Sequence, residues 1–146
     1  MNWYKKAMFE NQVGNETVCS ENNRLIGAAV KYRNKVFVDS CHPLAWMIAQ
    51  EDPELGEEIT DVFDAGQRGI VDLDRFEGFM TTSGFKTRLE AKLMAEKSGQ
   101  LKHKVLPGRS LQSEDIKEWA PKESVKASIL ESVFWRDSSN LGRRNG

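Results

Sequence analysis

GFMTTSGFKTRLEAKLMAEKSG, residues 78–99, carries a strand end, a turn and a helix in succession. It closes GIVDLDRFEGFMTTSG, residues 69–84, whose alternation suits a strand. Thr82, Ser83 and Gly84 supply turn chemistry, and Thr87 opens the helix. Thr87-x-x-Glu90 is a capping box, in which a hydroxyl takes one orphan amide of the first turn and a carboxylate takes another. Gly99 stands where a left-handed residue ends a helix, so the spacing predicts a helix over residues 87–98.

Upstream, LIGAAVKY and KVFVDS flank Arg33-Asn34 and read as two strands around a tight turn. Pro43 suits a first helical position, and Leu44, Met47 and Ile48 share one face of a helix over residues 43–50. Residues 51–64 hold seven acids and no Lys or Arg, which reads as a solvated acidic segment. Downstream, LKHKVLPGRS is a basic loop or short strand, and Ser113 caps a short helix with Glu114 and Asp115 in its first turn. Val125, Ile129 and Val133, with Leu130 and Phe134, form an apolar stripe that predicts a helix beginning at Pro121. Paired strands with interspersed helices give an α+β class: a small antiparallel sheet with packed helices and a C-terminal helix. The expected organisation is an N-terminal extension (1–24), a ligand-binding core (25–120), and a C-terminal helix with a frayed tail (121–146).

A chain of 146 residues can bury a real core. Its formal charge of −1 gives no global attraction to DNA or to a membrane surface. No stretch has transmembrane length, and MNWYKKAMFENQ lacks the apolar run of a signal peptide. Two cysteines, Cys19 and Cys41, are too few for a disulfide scaffold and point to reduced thiols inside a cell.

Residues 64–80, DAGQRGIVDLDRFEGFM, imitate a calcium loop, but the ligands are wrong. With Gly69 at the sixth position, Gly66, Arg68 and Arg75 fall at places that need oxygen donors. The stretch reads instead as a turn followed by a strand with Val71 and Leu73 facing in. Adjacent Cys41 and His42 diverge and cannot act on each other, and a Cys41–His103 dyad requires the fold to unite distant residues. No metal-ligand spacing, phosphate loop or hydrolase elbow is present, so neither metal, cofactor nor catalytic residue is expected.

What the sequence offers is an anion seat. The start of the 87–98 helix presents free amides and a positive dipole, flanked by Lys86 and Arg88 and by the hydroxyls of Thr81, Thr82 and Ser83. Phe79 and Phe85 stand close enough in sequence to stack a base. From Lys86 to Arg109, seven Lys/Arg face two acids, a local excess of 7 − 2 = +5.

The run GFMTTSGFKTRLEAKLMAEKSGQL, the later LQSEDI, and the upstream AAVKYRNKVFVDSCHPLAWMIA appear in the order found in the Thoeris anti-defence family of phage proteins. The chain resembles that family over about residues 26–116, with one departure: the usual Arg-Phe after the turn glycine is here Phe85-Lys86. The resemblance implies a non-catalytic sponge for a cyclic ADP-ribose-type or cyclic oligonucleotide immune signal, working in the cytoplasm of an infected bacterium. It implies ligand contacts at His42, Phe79, Thr81, Arg88 and Arg109, with Lys86 as the displaced cation and Gln100 and Ser113 structural or peripheral. Each residue keeps a plainer alternative: Arg88 pairing an acid, His42 capping the helix at Pro43, Phe79 in the core. A small domain encloses little of a dinucleotide, so a homo-oligomer with sites at subunit contacts is expected. The competing expectation is a phage inhibitor that acts by protein–protein contact through the acidic segment and the C-terminal helix.

Overall fold

The structure, a computed structural model, describes residues 22–135. It is an α+β fold built on a five-stranded sheet. The strands are β1 (Leu25–Tyr32), β2 (Lys35–Asp39), β3 (Glu77–Thr81), β4 (Gly84–Thr87) and β5 (Ser132–Trp135), in the order β4-β3-β1-β2-β5. β1 and β2 form the expected hairpin; Arg33 takes the left-handed conformation at its turn (φ 55°). Among the described residues three α-helices accompany the sheet: α1 (His42–Gln50), α2 (Gly56–Gln67) and α3 (Arg88–Ser98).

The register places Ala28, Val30, Phe37 and Phe79 on one face, because Val30 pairs with Phe37 and Ala28 with Phe79. Helices cover that face. Trp46, Ala45 and Ala49 of α1 and Ile59 of α2 pack on Val30 and Phe37, while Ala91, Met94 and Ala95 of α3 pack on Leu25, Ala28 and Phe79. The opposite face carries Ala29, Val36, Val38 and Met80 with Phe85, Val133 and Trp135 beside them in the register, and Val125 and Ile129 pack against it.

Helix α3 forms as the sequence predicts. Thr87 and Glu90 make both bonds of the capping box, and Gly99 closes the helix in the left-handed conformation at φ 75°. Other expectations need correction. The C-terminal helix is replaced, within the described residues, by a single 3-10 turn (Lys122–Ser124), a strap, and β5, which pairs with β2 in parallel. The sheet is therefore mixed, antiparallel in four strands only, with β5 at its edge. Val125, Ile129 and Val133 do pack on one sheet face, but from the strap and β5 rather than along a helix.

The strand expected over residues 69–84 starts later, at Glu77, after a 3-10 turn (Leu73–Arg75). In α1 the buried face is Ala45, Trp46 and Ala49, whereas Met47 is exposed. The acidic segment is not merely solvated. Ile59 is fully buried, and Asp52 accepts from Lys35 Nζ at 2.9 Å and from the amides of Leu55 and Glu54. Burial opposes ionisation of Asp52, but the Lys35 ammonium and those amides outweigh it and hold the carboxyl below its usual range. The extension and the frayed tail lie outside the described residues, except for residues 22–24. No helix among the described residues is long and apolar enough to cross a membrane.

Candidate functional site

The corner at the start of α3 is where the sequence places an anion. Both terminal nitrogens of its arginine already have partners, while the buried Nε makes no hydrogen bond. Arg88 Nη2 donates to Glu77 Oε1 at 2.5 Å and Nη1 to the Leu111 carbonyl at 2.6 Å, while Nε lies 3.7 Å from Asp74 Oδ1. The other Glu77 oxygen accepts from Trp46 Nε1 at 2.8 Å, so a single carboxylate links α1 to α3. This pairing follows from the hairpin: Gly78 lies opposite Thr87, which carries Glu77 alongside Arg88.

The other members of the expected set are sealed in. Phe79 has no exposed surface and packs between His42, at 5.1 Å edge-to-face, and Trp119, at 6.2 Å stacked. Thr81 is fully buried; its hydroxyl donates to the Gly84 carbonyl at 2.7 Å and accepts from the Ser83 amide. His42 is buried, with Nε2–H donating to the Gly78 carbonyl at 2.7 Å. Burial first, and then the positive charge of Arg88, lower its pKa below the ordinary imidazole value. His42 does not cap α1; Cys41 holds that position.

The structure thus gathers His42, Phe79 and Arg88, but as an internal joint, while Thr81 bonds within the β3–β4 turn. Adenine cannot stack on Phe79 nor a phosphate bind Arg88 without dismantling the core. Lys86, opposite Phe79 in the register, is half-buried with no charged partner among the described residues.

Arg109 is separate from this joint and differs in kind. It is exposed, and its side chain makes no bond among the described residues. It lines a cleft of about 240 Å³ with His103, Lys104, Ser110 and Gln112. The loop is shaped by Lys92 of α3, whose ammonium donates to the carbonyls of Leu106 and Arg109, both at 2.9 Å. Asp115 also lines the cleft and sits 3.3 Å from His103 Nε2. Ser113 starts a 3-10 turn (Ser113–Asp115), in which Gln112 is the cap.

This loop leaves and rejoins the body through a short ribbon. Leu101 bridges Ile116, Lys102 N donates to Asp115 O, and Lys117 N donates to Gln100 O, the last two at 2.8 Å. At the other end of the ribbon is a larger cleft of about 410 Å³, lined by Arg24, Gly99, Gln100, Glu118, Trp119 and Pro121.

Comparison with protein-family models, curated proteins and solved structures finds no match for this chain. Its chemistry must therefore be read from the geometry. Among the described residues no three His, Cys, Asp or Glu side chains gather to hold a metal. The calcium-like stretch begins inside α2, which runs to Gln67, so its first four positions are helical rather than a ligating loop. Cys41 and His103 lie on different elements, the α1 cap and the ribbon, and share no bond.

Sequence reasoning reached Arg109 but passed over Lys104 and His103 as partners for it, and over Trp119 and Arg24 entirely. The density of Lys and Arg after Gly99 was the available signal. Nothing in the sequence reveals that residues 100–103 and 115–118 pair.

Proposed function

We propose that the chain is a nucleotide-sequestering anti-defence protein that captures a cyclic ADP-ribose-type or cyclic oligonucleotide immune signal and releases it unchanged. The observation that carries this reading is the cleft joining Arg109, Lys104 and His103 to the donors Ser110 and Gln112. The order of motifs shared with the Thoeris anti-defence family supports the ligand class. A guanidinium with no internal partner retains its planar pair of donors for a phosphate, and such charge-assisted bonds are about twice as strong as neutral ones. Two carboxylates, Glu114 and Asp115, also line the cleft alongside Lys104 and Arg109; Asp115 pairs with His103, and Arg109 is left without a bonded carboxylate among the described residues.

The cleft's volume of about 240 Å³ sits below the usual range for small-molecule sites, roughly 300–1,000 Å³. It takes the phosphate end of a dinucleotide and leaves the remainder to other surfaces, among them a second copy in a homo-oligomer. Neither DNA nor a membrane is a partner in this reading.

Isothermal titration with cyclic ADP-ribose, followed by recovery of the ligand from denatured complex, tests the reading. Intact ligand and a loss of at least about tenfold in affinity for Arg109→Ala are expected, since a hydrogen bond to a charged group contributes about 1.5–3 kcal/mol. A cleaved product would establish an enzyme instead. Unchanged affinity in Arg109→Ala and Lys104→Ala would remove the cleft from the site.

One observation favours the second reading, contact with another protein. Leu89, Leu93 and Leu106 are 72%, 49% and 58% exposed beside the basic loop. Because residues 121–135 form no α-helix, that contact would use this patch and the acidic surface of α2, and affinity purification from bacterial lysate would reveal a stoichiometric protein.

A further inference from the structure

The cleft at the far end of the ribbon is larger than the one that Arg109 lines and has no role in the joint of Glu77 and Arg88. Its floor is fixed. Gln100, only 3% exposed, accepts from the Leu25 amide at 2.8 Å and the Ser98 hydroxyl at 2.7 Å, and donates to the carbonyls of Leu25 and Glu118 at 2.9 and 3.0 Å. One side chain thereby binds the start of β1, the end of α3 and residue 118 into a rigid wall. Arg24 is held against the same wall by its Nη1 bond to the Ser98 carbonyl at 3.2 Å.

The exposed groups of the lining narrow the choice of ligand. Trp119 gives one indole face to Phe79 and remains half-buried at the cleft edge. Arg24 and Glu118 present opposite charges. A purely anionic ligand would face Glu118 and a purely cationic one would face Arg24. An apolar ligand would strip water from both without replacing it, at a cost. A neutral flat ring with both a donor and an acceptor on its edge meets all three: it stacks on the indole, gives an amine proton to Glu118, and accepts from Arg24. Gly99 adds open approach, since no atom lies within 4 Å of where a Cβ would stand. The volume of about 410 Å³ falls within the range for small-molecule sites.

We propose that the Trp119–Arg24–Glu118 cleft is a nucleobase site, selective for an aminopurine such as adenine. Gln100 and His103 mark the two ends of the ribbon, three residues apart, so at a rise of about 3.3 Å per residue the base site lies on the order of 10 Å from the phosphate cleft. This deepens the function proposed above, and rests on it only for the link between base and phosphate.

Two uncharged or base-free probes separate the two readings. Adenosine, which has no phosphate, binds the full-length chain with a dissociation constant of about 0.1–1 mM, as its size predicts. Trp119→Ala weakens it roughly tenfold, in line with the loss of base–aromatic stacking. Because Trp119 also touches the core, Glu118→Ala serves as the second variant: its side chain is exposed, and it weakens adenosine several-fold while leaving purine riboside, which carries hydrogen in place of the amine and has no donor on its ring edge, unchanged. Arg109→Ala leaves adenosine binding intact. Pyrophosphate shows the reverse dependence. Adenosine without measurable binding at 5 mM, or equal binding by wild type and both variants at this cleft, overturns the proposal. If pyrophosphate then still binds through Arg109, the sequestration reading survives alone; adenosine binding without pyrophosphate binding leaves the base site and removes the phosphate cleft.

Discussion

Arg88 and Arg109 belong to the same basic run, yet one side chain is 14% exposed with both terminal nitrogens bonded and the other is exposed with no side-chain partner among the described residues. The difference lies in what the backbone carries past each. Arg88 follows a four-residue strand whose register sets Glu77 beside it, so the hairpin delivers a carboxylate automatically. Arg109 sits on a loop held by backbone carbonyls bonded to Lys92, which shapes the loop without spending its guanidinium. A cation within one hairpin's reach of an acid becomes structure; a cation on a loop tied by main-chain bonds stays available to a ligand.

The largest effect expected on that contrast is at Phe79. Its ring has no exposed surface and packs with Ala28, Ala91 and Met94. Phe79→Ala is expected to cost about 3–5 kcal/mol in urea denaturation, the range for deleting a buried aromatic side chain. A small stability change with a large loss of ligand binding would mean instead that the ring faces ligand.

Arg88→Ala comes next. It leaves Glu77, 12% exposed at its side chain, without its strongest partner and frees the Leu111 carbonyl. A loss of about 3 kcal/mol is expected, and Arg88→Lys recovers only part of it, because an ammonium cannot span the carboxylate and the carbonyl as the planar fork does. Full rescue by lysine would show that charge alone matters there.

These two residues also show what was legible in the sequence. The β1–β2 hairpin and the α3 caps rest on signals within a few residues of one another, and both form. The Phe79 and Arg88 roles depend on strand register: had EGFMT been paired with GFKT across the Thr82-Ser83 turn, Glu77 would have fallen beside Arg88 and the seat would have been seen as closed. The C-terminal stretch misled for a different reason. Val125, Ile129 and Val133 repeat at helical spacing, but the strap crosses one sheet face before β5 joins β2, and no periodicity distinguishes those two arrangements. The ribbon that creates both clefts joins residues 100–103 to 115–118 with only one apolar pair, the partly buried Leu101 and the buried Ile116, to suggest it.

A smaller effect tests the charge balance inside the joint. His42 is neutral in the fold because burial and Arg88 depress its pKa, against the opposing pull of Gly78, Glu77 and Asp74. The unfolded imidazole takes up a proton at its ordinary value of 6.5, so the unfolded state binds more protons below that pH. The contribution is present above pH 6.5 and is lost as pH falls toward the folded value, with a slope of at most about 1.4 kcal/mol per unit. The carboxyls of Asp52 and Glu131, also depressed, contribute above their ordinary values of 3.8 and 4.5 and lose that only at lower pH. His42→Gln, whose amide can still donate to the Gly78 carbonyl, is expected to flatten the melting temperature between pH 6.5 and 5. An unchanged slope would place the titrating group elsewhere.

The smallest expected effect decides the most. Arg109→Ala removes an exposed side chain with no internal bond, and substitutions of that kind stay within about 0.5 kcal/mol. Its chemical denaturation curve is therefore expected to overlay that of the wild type, even as its affinity for pyrophosphate falls. Phe79→Ala and Arg88→Ala show the opposite pairing, large losses of stability with any loss of binding following from unfolding. Should Arg109→Ala prove as destabilising as Arg88→Ala, its guanidinium would be structural too, and the loop between Lys102 and Leu111 would be a second joint rather than a mouth.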